Sequence, residues 1–392
     1  MWSVRGIPIV PVVSEATISW SPGERSVEQH RAAQPTHLLE PARLLGLAVA
    51  TPSSPFTQDE LLDLLGLTDD PFATTVFSRS GVDTRRLTVS EASVARTLQA
   101  RTATTEDELF GLAVQAIDQL AIDPREIGVV VTGTYYSLGG PTLAHRIVDH
   151  YGLDPATDKY HLVGVGCASA VPLFRLALGC LRDWPERKAL VVAGESISGF
   201  LTGAAPGDDK VKVVGSALFG DGCAAALLDD GGDDQAPGPR IVATAVHQVP
   251  ETLDYVRFRV TGNDSHLDIS RELPALAESS AAGLVESFLG EQGLAMADID
   301  HWLMHPGGRG IVEALQRALG LTNEQVAPSV GVLSEFGNVG TPSGLFVLAK
   351  TLAERRPAVG DRALMLTIGP GVTVGLMLLA WSNDQNPDQT RR

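Results

Sequence analysis

Cys167-Ala-Ser-Ala-Val-Pro-Leu-Phe-Arg-Leu-Ala177 and Asn338-Val-Gly-Thr-Pro-Ser-Gly-Leu-Phe-Val-Leu-Ala349 decide how this chain is read. Each begins on a polar residue among small neighbours and runs through a Leu-Phe-x-Leu-Ala segment. Each is then followed by an apolar run, Ala189–Ala193 and Ala363–Ile368, that reads as a strand. Further along in both directions the same order recurs. A helix from Glu106 to Leu120 leads through Asp123-Pro124 into the strand Ile127–Thr132. A helix from about Leu276 to Leu289 leads through Asp298-Ile299-Asp300 into the strand Trp302–His305. Gly220-Asp-Gly222 precedes the strand Cys223–Leu228 as Gly369-Pro-Gly371 precedes Val372–Leu379. Matched pairs in one order imply an internal duplication of a layered α/β unit, with one site at the interface of the two halves. The first strand is Leu44–Ala50, and Thr57-Gln-Asp-Glu60 makes a capping box ahead of the next helix. Residues 1–41 lack clear periodicity and read as an N-terminal extension. Residues 42–234 and 235–382 form the two halves, parted at the Asp- and Gly-rich loop Asp229–Gln235, and 383–392 form a polar tail.

A net charge of −17 over 392 residues argues against nucleic acid, whose phosphates need a basic surface. No apolar run reaches the roughly 18 residues of a membrane span. Met1–Val13 lacks a signal-peptide core, so the expected location is the cytoplasm. Three cysteines cannot all pair, and no CxxC or Cys/His cluster suggests a metal. Cys180 and Cys223 lie inside apolar runs and read as core.

Cys167 differs from them. His161-Leu-Val-Gly-Val-Gly166 reads as a buried strand feeding it, and Ala168–Leu181 as the helix that follows. The partial positive charge and free N–H groups of a helix N-terminus favour a thiolate there, while a buried structural cysteine is the alternative. His305-Pro-Gly-Gly308 ends the equivalent strand of the other half, with glycines that let a ligand approach the backbone. A lone histidine there could equally be a satisfied polar residue. Asn338, in Phe336-Gly-Asn-Val-Gly340, is by itself readable as a helix cap. Together the three supply a chemistry: histidine pairs with the thiolate, and histidine and asparagine donate hydrogen bonds to a developing enolate or oxyanion.

At these residues the chain resembles the type III polyketide synthases, the chalcone-synthase-like family, over roughly residues 44–381. The resemblance rests on Val165-Gly-Cys-Ala168, Ala217-Leu-Phe-Gly-Asp-Gly222, His305-Pro-Gly-Gly308, Ser334-Glu-Phe-Gly-Asn338 and Ile368-Gly-Pro-Gly-Val-Thr-Val374. It implies a thiolase-like fold, a duplicated five-layer αβαβα architecture, and a homodimer. It implies that Cys167 takes a starter acyl group from coenzyme A, and that His305 and Asn338 hold malonyl-CoA and stabilise the enolate left by decarboxylation. The extended chain is then cyclised or released. Acyl-CoA and malonyl-CoA enter as substrates, with no further cofactor and with an acyl carrier protein as another donor. Phe219 matches the aromatic residue between the acyl tunnel and the active site, though packing beside Leu218 would also explain it. Gly307, Gly308, Gly369, Pro370 and Gly371 are expected around the substrate, and Arg79 and Arg309 against coenzyme A.

The chain departs from the family pattern in several places. Phe72 and Thr75 stand where plant members carry cations. Tyr135 and Tyr136 replace small pocket residues, which predicts a narrowed cavity and short products. Gly340-Thr341 replace a serine pair, and the second pocket phenylalanine aligns only near His266-Leu267. Two other readings fit parts of the pattern. One is a ketoacyl-carrier-protein synthase III-like enzyme or an acyltransferase forming esters or amides, although those synthases usually show His-Gln-Ala-Asn at the histidine. The other is a non-catalytic scaffold subunit, which could dispense with the Cys167, His305 and Asn338 that this chain keeps.

Overall fold

In the computed structural model the described residues are 37–94, 96–136, 139–184, 186–201, 210–231, 238–261 and 264–381. Thirteen strands occur among them: β1 (His37–Ala50), β2 (Pro55–Thr57), β3 (Thr84–Arg86), β4 (Ile127–Thr134), β5 (Asp158–Val163), β6 (Lys188–Glu195), β7 (Gly222–Asp229), β8 (Arg240–Gln248), β9 (Val256–Thr261), β10 (Asp264–Ile269), β11 (His301–Met304), β12 (Arg362–Gly369) and β13 (Thr373–Ala380). β1 begins at His37, so residues 37–41 belong to the sheet and not to an extension. Glu40-Pro41 hid this by interrupting the apolar run. Proline cannot donate to a ladder, and here it falls at the register break between Leu38 and Ala42 in the β1–β8 pairing. Residues 1–36, residues 232–235 of the expected boundary loop and the tail from 382 onward lie outside the described residues.

Nine strands form one mixed sheet in the order β11-β12-β13-β8-β1-β7-β6-β4-β5. β4 is parallel to β6 and β6 antiparallel to β7, as β11 is parallel to β12 and β12 antiparallel to β13. The repeated segments therefore run in matching order away from the central β1–β8 pair. Helices Thr105–Asp118 and Leu143–His150 pack on one face of the β7-β6-β4 side. Helices Leu273–Gly290 and Arg309–Leu319 cover one face of the β13-β12-β11 side. Helices Ala170–Leu181 and Ser343–Arg355 share a single core with both strand sets, which makes five layers.

That middle layer is the pair of Leu-Phe-x-Leu-Ala segments. Leu173, Phe174, Leu345 and Phe346 are buried, each contributing about 1.5–3 kcal/mol of hydrophobic stabilisation. Close approach depends on two glycines. A Cβ at Gly133 of β4 would meet the Leu173 side chain at 2.8 Å, and one at Gly375 of β13 would meet Val171 at 3.0 Å. The helix that follows Cys167 thus touches both sides of the duplication.

The run before Cys167 was expected to be a buried strand. β5 ends at Val163 and is the edge of the sheet, with Tyr160 37% and Val163 48% exposed. An apolar run shows that a segment is extended, but not which strand ends the sheet. Cys180 is likewise only half-buried, whereas Cys223 is fully buried. No helix among the described residues is long and apolar enough to cross a membrane.

Candidate active site

Cys167 lies in a short 3-10 turn, Gly166–Ala168, between β5 and the helix Ala170–Leu181, and not on the first turn of the helix itself. Gly164 and Gly166 turn the chain there with φ of 85° and 59°. Asn338 sits between helices Asn323–Phe336 and Ser343–Arg355, with its amide 3.7 Å from the Cys167 sulfur. The network fixes which way the amide points. Oδ1 accepts from the Gly340 N–H and the Ser343 hydroxyl, both at 2.9 Å, which uses its two lone pairs. Oδ1 and Nδ2 both lie 3.7 Å from the sulfur, and because Oδ1 already has two donors, Nδ2 is the one left free to donate to it. His305 follows directly on β11, whose last residue, Met304, donates its N–H to Ser329 Oγ at 3.0 Å. A Cβ at Gly307 would meet His305 Nε2 at 2.7 Å, so the glycine leaves that ring edge open. His305 Nδ1 is buried without a hydrogen-bond partner.

All three side chains line one cavity of about 650 Å³. Cys167 is open to it yet deep, and burial pushes its thiol up to about 12 despite the Asn338 hydrogen bond. Burial pushes His305 down to about 4. Burial thus works against the lone thiolate expected beside a helix N-terminus. Desolvation disfavours either charge alone, because a single ion in a low-dielectric site loses its hydration.

Phe219, Tyr135, Tyr136, Gly307, Gly308, Gly369 and Pro370 also line the cavity, as the sequence suggested. Gly371 does not. Its φ of 114° serves a turn, and its carbonyl accepts from Thr252 Oγ1 at 2.9 Å. Where an aromatic residue was sought near His266-Leu267, Leu267 itself lines the cavity, and Phe258, its partner across the β9–β10 ladder, supplies an aromatic ring beside it. Tyr135, Tyr136, Phe200 and Phe258 pack edge to face with ring centroids 5.1–5.7 Å apart. Arg79 and Arg309 stand on the lining, and Arg309 is paired with Glu313 at 2.8 Å. Lys210, Lys212 and Arg271 were not singled out in the sequence, yet they line the same cavity. Lys210 lies over the Phe72 ring, 5.2 Å from its centroid. Among the described residues no group of three or more His, Cys, Asp or Glu side chains could hold a metal ion.

Glu195, at the end of β6, was also missed. The one sequence signal for it is a charge closing an otherwise apolar strand. It accepts from the Tyr135 N–H at 2.6 Å, from Thr134 Oγ1 at 3.0 Å and from Thr341 Oγ1. Burial nonetheless raises its pKa from 4.5 to about 7. The folded state thus binds this proton more tightly than the unfolded chain. The resulting stability is present below about pH 4.5 and is lost as pH rises to about 7, a term of about 3 kcal/mol. Glu195→Gln is expected to flatten this part of the profile, so that its melting temperature falls less than that of the wild type between pH 5 and pH 8. Parallel thermal melts check it, and identical slopes would show that Glu195 stays ionised in the fold.

Two family models match the chain. A type III polyketide synthase-like model (FAE1/Type III polyketide synthase-like protein) matches residues 56–245, and the C-terminal domain of chalcone and stilbene synthases matches residues 240–381. The chain is 28% identical over 361 residues to a 3,5-dihydroxyphenylacetyl-CoA synthase of Amycolatopsis balhimycina, covering 88% of this chain and 94% of that protein. It is 31% identical over 354 residues to the alpha-pyrone synthesis polyketide synthase-like Pks18 of Mycobacterium tuberculosis, covering 85% and 89%. Among solved structures, PKS-I from the brown alga Ectocarpus siliculosus superposes with a TM-score of 0.79 at 25% identity, over 87% of this chain and 98% of that one.

Proposed function

This chain belongs to the type III polyketide synthase family, condensing acyltransferases that act on coenzyme A thioesters, and on that premise we propose that Cys167, His305 and Asn338 carry a decarboxylative condensation with malonyl-CoA. The observation that carries this reading is the Asn338 amide 3.7 Å from the Cys167 sulfur, with Nδ2 free to donate, in a cavity that His305 also lines. The Cys167 thiol attacks the starter thioester while its proton passes to His305. The acyl–sulfur bond to Cys167 forms, and the coenzyme A thiol leaves with a proton. Neither group charges alone in this cavity, but moving one proton between them charges both at once with opposite signs. Malonyl-CoA then loses carbon dioxide, and the enolate oxygen takes hydrogen bonds from Asn338 and His305. The enolate carbon attacks the acyl carbonyl, a carbon–carbon bond forms, and the Cys167 sulfur is released for another round.

Coenzyme A is gripped by Arg79 and Arg309, together with Lys210, Lys212 and Arg271 from other elements. This local cluster offsets a net charge of −17, because nearby cations set the potential that a bound phosphate meets. The exposed apolar edge of β5, which carries Tyr160 and Val163, is the surface we assign to a second copy in a homodimer, since a bare edge invites pairing.

Incubating the pure protein with labelled malonyl-CoA and a panel of acyl-CoA starters tests the reading. Release of carbon dioxide with products lengthened by two-carbon units is expected. Starter hydrolysis or ester formation without a new carbon–carbon bond would overturn it. The aromatic wall gives a second expectation, short products of one to a few extensions. Replacing both Tyr135 and Tyr136 by Ala removes two rings from the lining and should lengthen the products seen by mass spectrometry. An unchanged product spectrum from a folded but destabilised double variant would show that the rings serve packing only, a role worth up to about 3–5 kcal/mol for a fully buried aromatic.

A further inference from the structure

Arg85, in β3, is fully buried and has no carboxylate partner among the described residues. Its Nη1 donates to the Phe219 carbonyl at 3.1 Å, its Nη2 donates to Gln58 Oε1, and its guanidinium lies 5.5 Å from the Phe77 ring centroid. Burial lowers its pKa to about 9, which leaves it protonated at neutral pH. An unpaired buried cation opposes folding, and an apolar side chain of similar volume would fill the space at less cost. Packing alone therefore gives no reason for an arginine here.

Its contacts lead to the reaction centre. The segment Leu218–Gly220 is joined to Asn338 by two backbone hydrogen bonds. Asn338 N–H donates to the Leu218 carbonyl at 2.8 Å, and Gly220 N–H donates to the Asn338 carbonyl at 3.1 Å. Phe219 and Asn338 face each other as a parallel bridge. The two backbones are wedged together, since a Cβ at Gly337 would meet the Leu218 carbonyl oxygen at 2.5 Å. On the far side, Gln58 Nε2 donates to Ser80 Oγ at 2.8 Å, to the Ala217 carbonyl at 3.1 Å and to the Phe77 carbonyl at 3.3 Å. Arg85 and Gln58 thus clamp the ends of helices Pro71–Arg79 and Lys210–Leu218 around the one segment that carries both Phe219 and the backbone partners of Asn338.

We propose that Arg85 is a positioning residue for the condensation, holding the Leu218–Gly220 segment through the Phe219 carbonyl and thereby setting the Asn338 amide against Cys167. The proposal rests on the role given to Asn338 above. It requires that loosening the clamp misplace the enolate donor while the nucleophile, which stands on a different element, stays where it is.

The test compares Arg85→Met, Arg85→Lys and Gln58→Leu with the wild type. Acyl loading of Cys167 is read by intact-protein mass spectrometry, and malonyl-CoA decarboxylation is measured per folded protein, with thermal melts alongside. Arg85→Met should slow decarboxylation by roughly ten- to a hundredfold, as an ångström-scale misplacement does, while loading stays within about threefold. Arg85→Lys, which keeps the charge but cannot span both acceptors, should fall between. Gln58→Leu should shift the ratio in the same direction and decides the matter if Arg85→Met does not fold. Variants that melt earlier but keep the wild-type ratio of decarboxylation to loading would overturn the proposal. Asn338→Ala separates the two ideas. If it decarboxylates normally, the reading of Asn338 fails. If it does not, and the Arg85 and Gln58 variants keep the wild-type ratio, only the clamp fails.

Discussion

Cys167→Ala is expected to abolish covalent acyl loading and leave the fold intact. The sulfur faces the cavity and accepts from Asn338 at 3.7 Å, so its removal takes away the nucleophile without opening a sealed hole in the core. After exposure to acyl-CoA, the wild type should gain the mass of one acyl group and the variant none, with melting temperatures close together. Cys180 and Cys223 offer no replacement. Neither lies on the cavity lining. Labelling that survives the substitution would assign the nucleophile elsewhere.

Asn338→Ala should lose malonyl-CoA decarboxylation by roughly a hundred- to a thousandfold, the usual effect of removing one oxyanion donor, equivalent to about 2.7–4 kcal/mol. Loading of Cys167 should persist, because the first acyl transfer depends on the thiol and on His305. His305→Ala should impair both steps, since in the proposed mechanism the imidazole takes the thiol proton and later donates to the enolate. Carbon dioxide release from malonyl-CoA without a starter, read beside acyl loading, separates the two variants. A wild-type rate of decarboxylation in Asn338→Ala would remove asparagine from the enolate site.

Much of the candidate site was legible because the three residues proposed to react are marked by local sequence. Cys167 and Asn338 each follow a glycine in a short link between regular elements, and His305 follows β11 with Gly307 two residues on, so periodicity and small residues mark all three places. Partners that come from elsewhere were not legible. Glu195 is held by Tyr135, Thr134 and Thr341, the last of them 146 residues away. Phe258 comes to the lining opposite Leu267 only because β9 and β10 pair, and a linear reading cannot see across a ladder. Cations for coenzyme A were sought on the helix Pro71–Arg79, where only Arg79 remained, whereas Lys210 joins the same lining from another helix and lies over Phe72.

Sequence by itself determined the duplicated α/β order, the two Leu-Phe-x-Leu-Ala helices of the middle layer and the three residues that meet in the cavity. The order and the helices follow from short-range spacing, which a helix or strand converts directly into a face or an end, and the three residues from their joint chemistry and the motifs of the resemblance. Tertiary structure alone decided that β5 is the sheet edge, that Gly371 serves a turn, and that Arg85 is clamped behind Asn338. It also decided that Cys167 and His305 are each driven towards neutrality. Burial and dielectric are sums over neighbours that the chain brings together from hundreds of residues apart, and no local pattern records that sum.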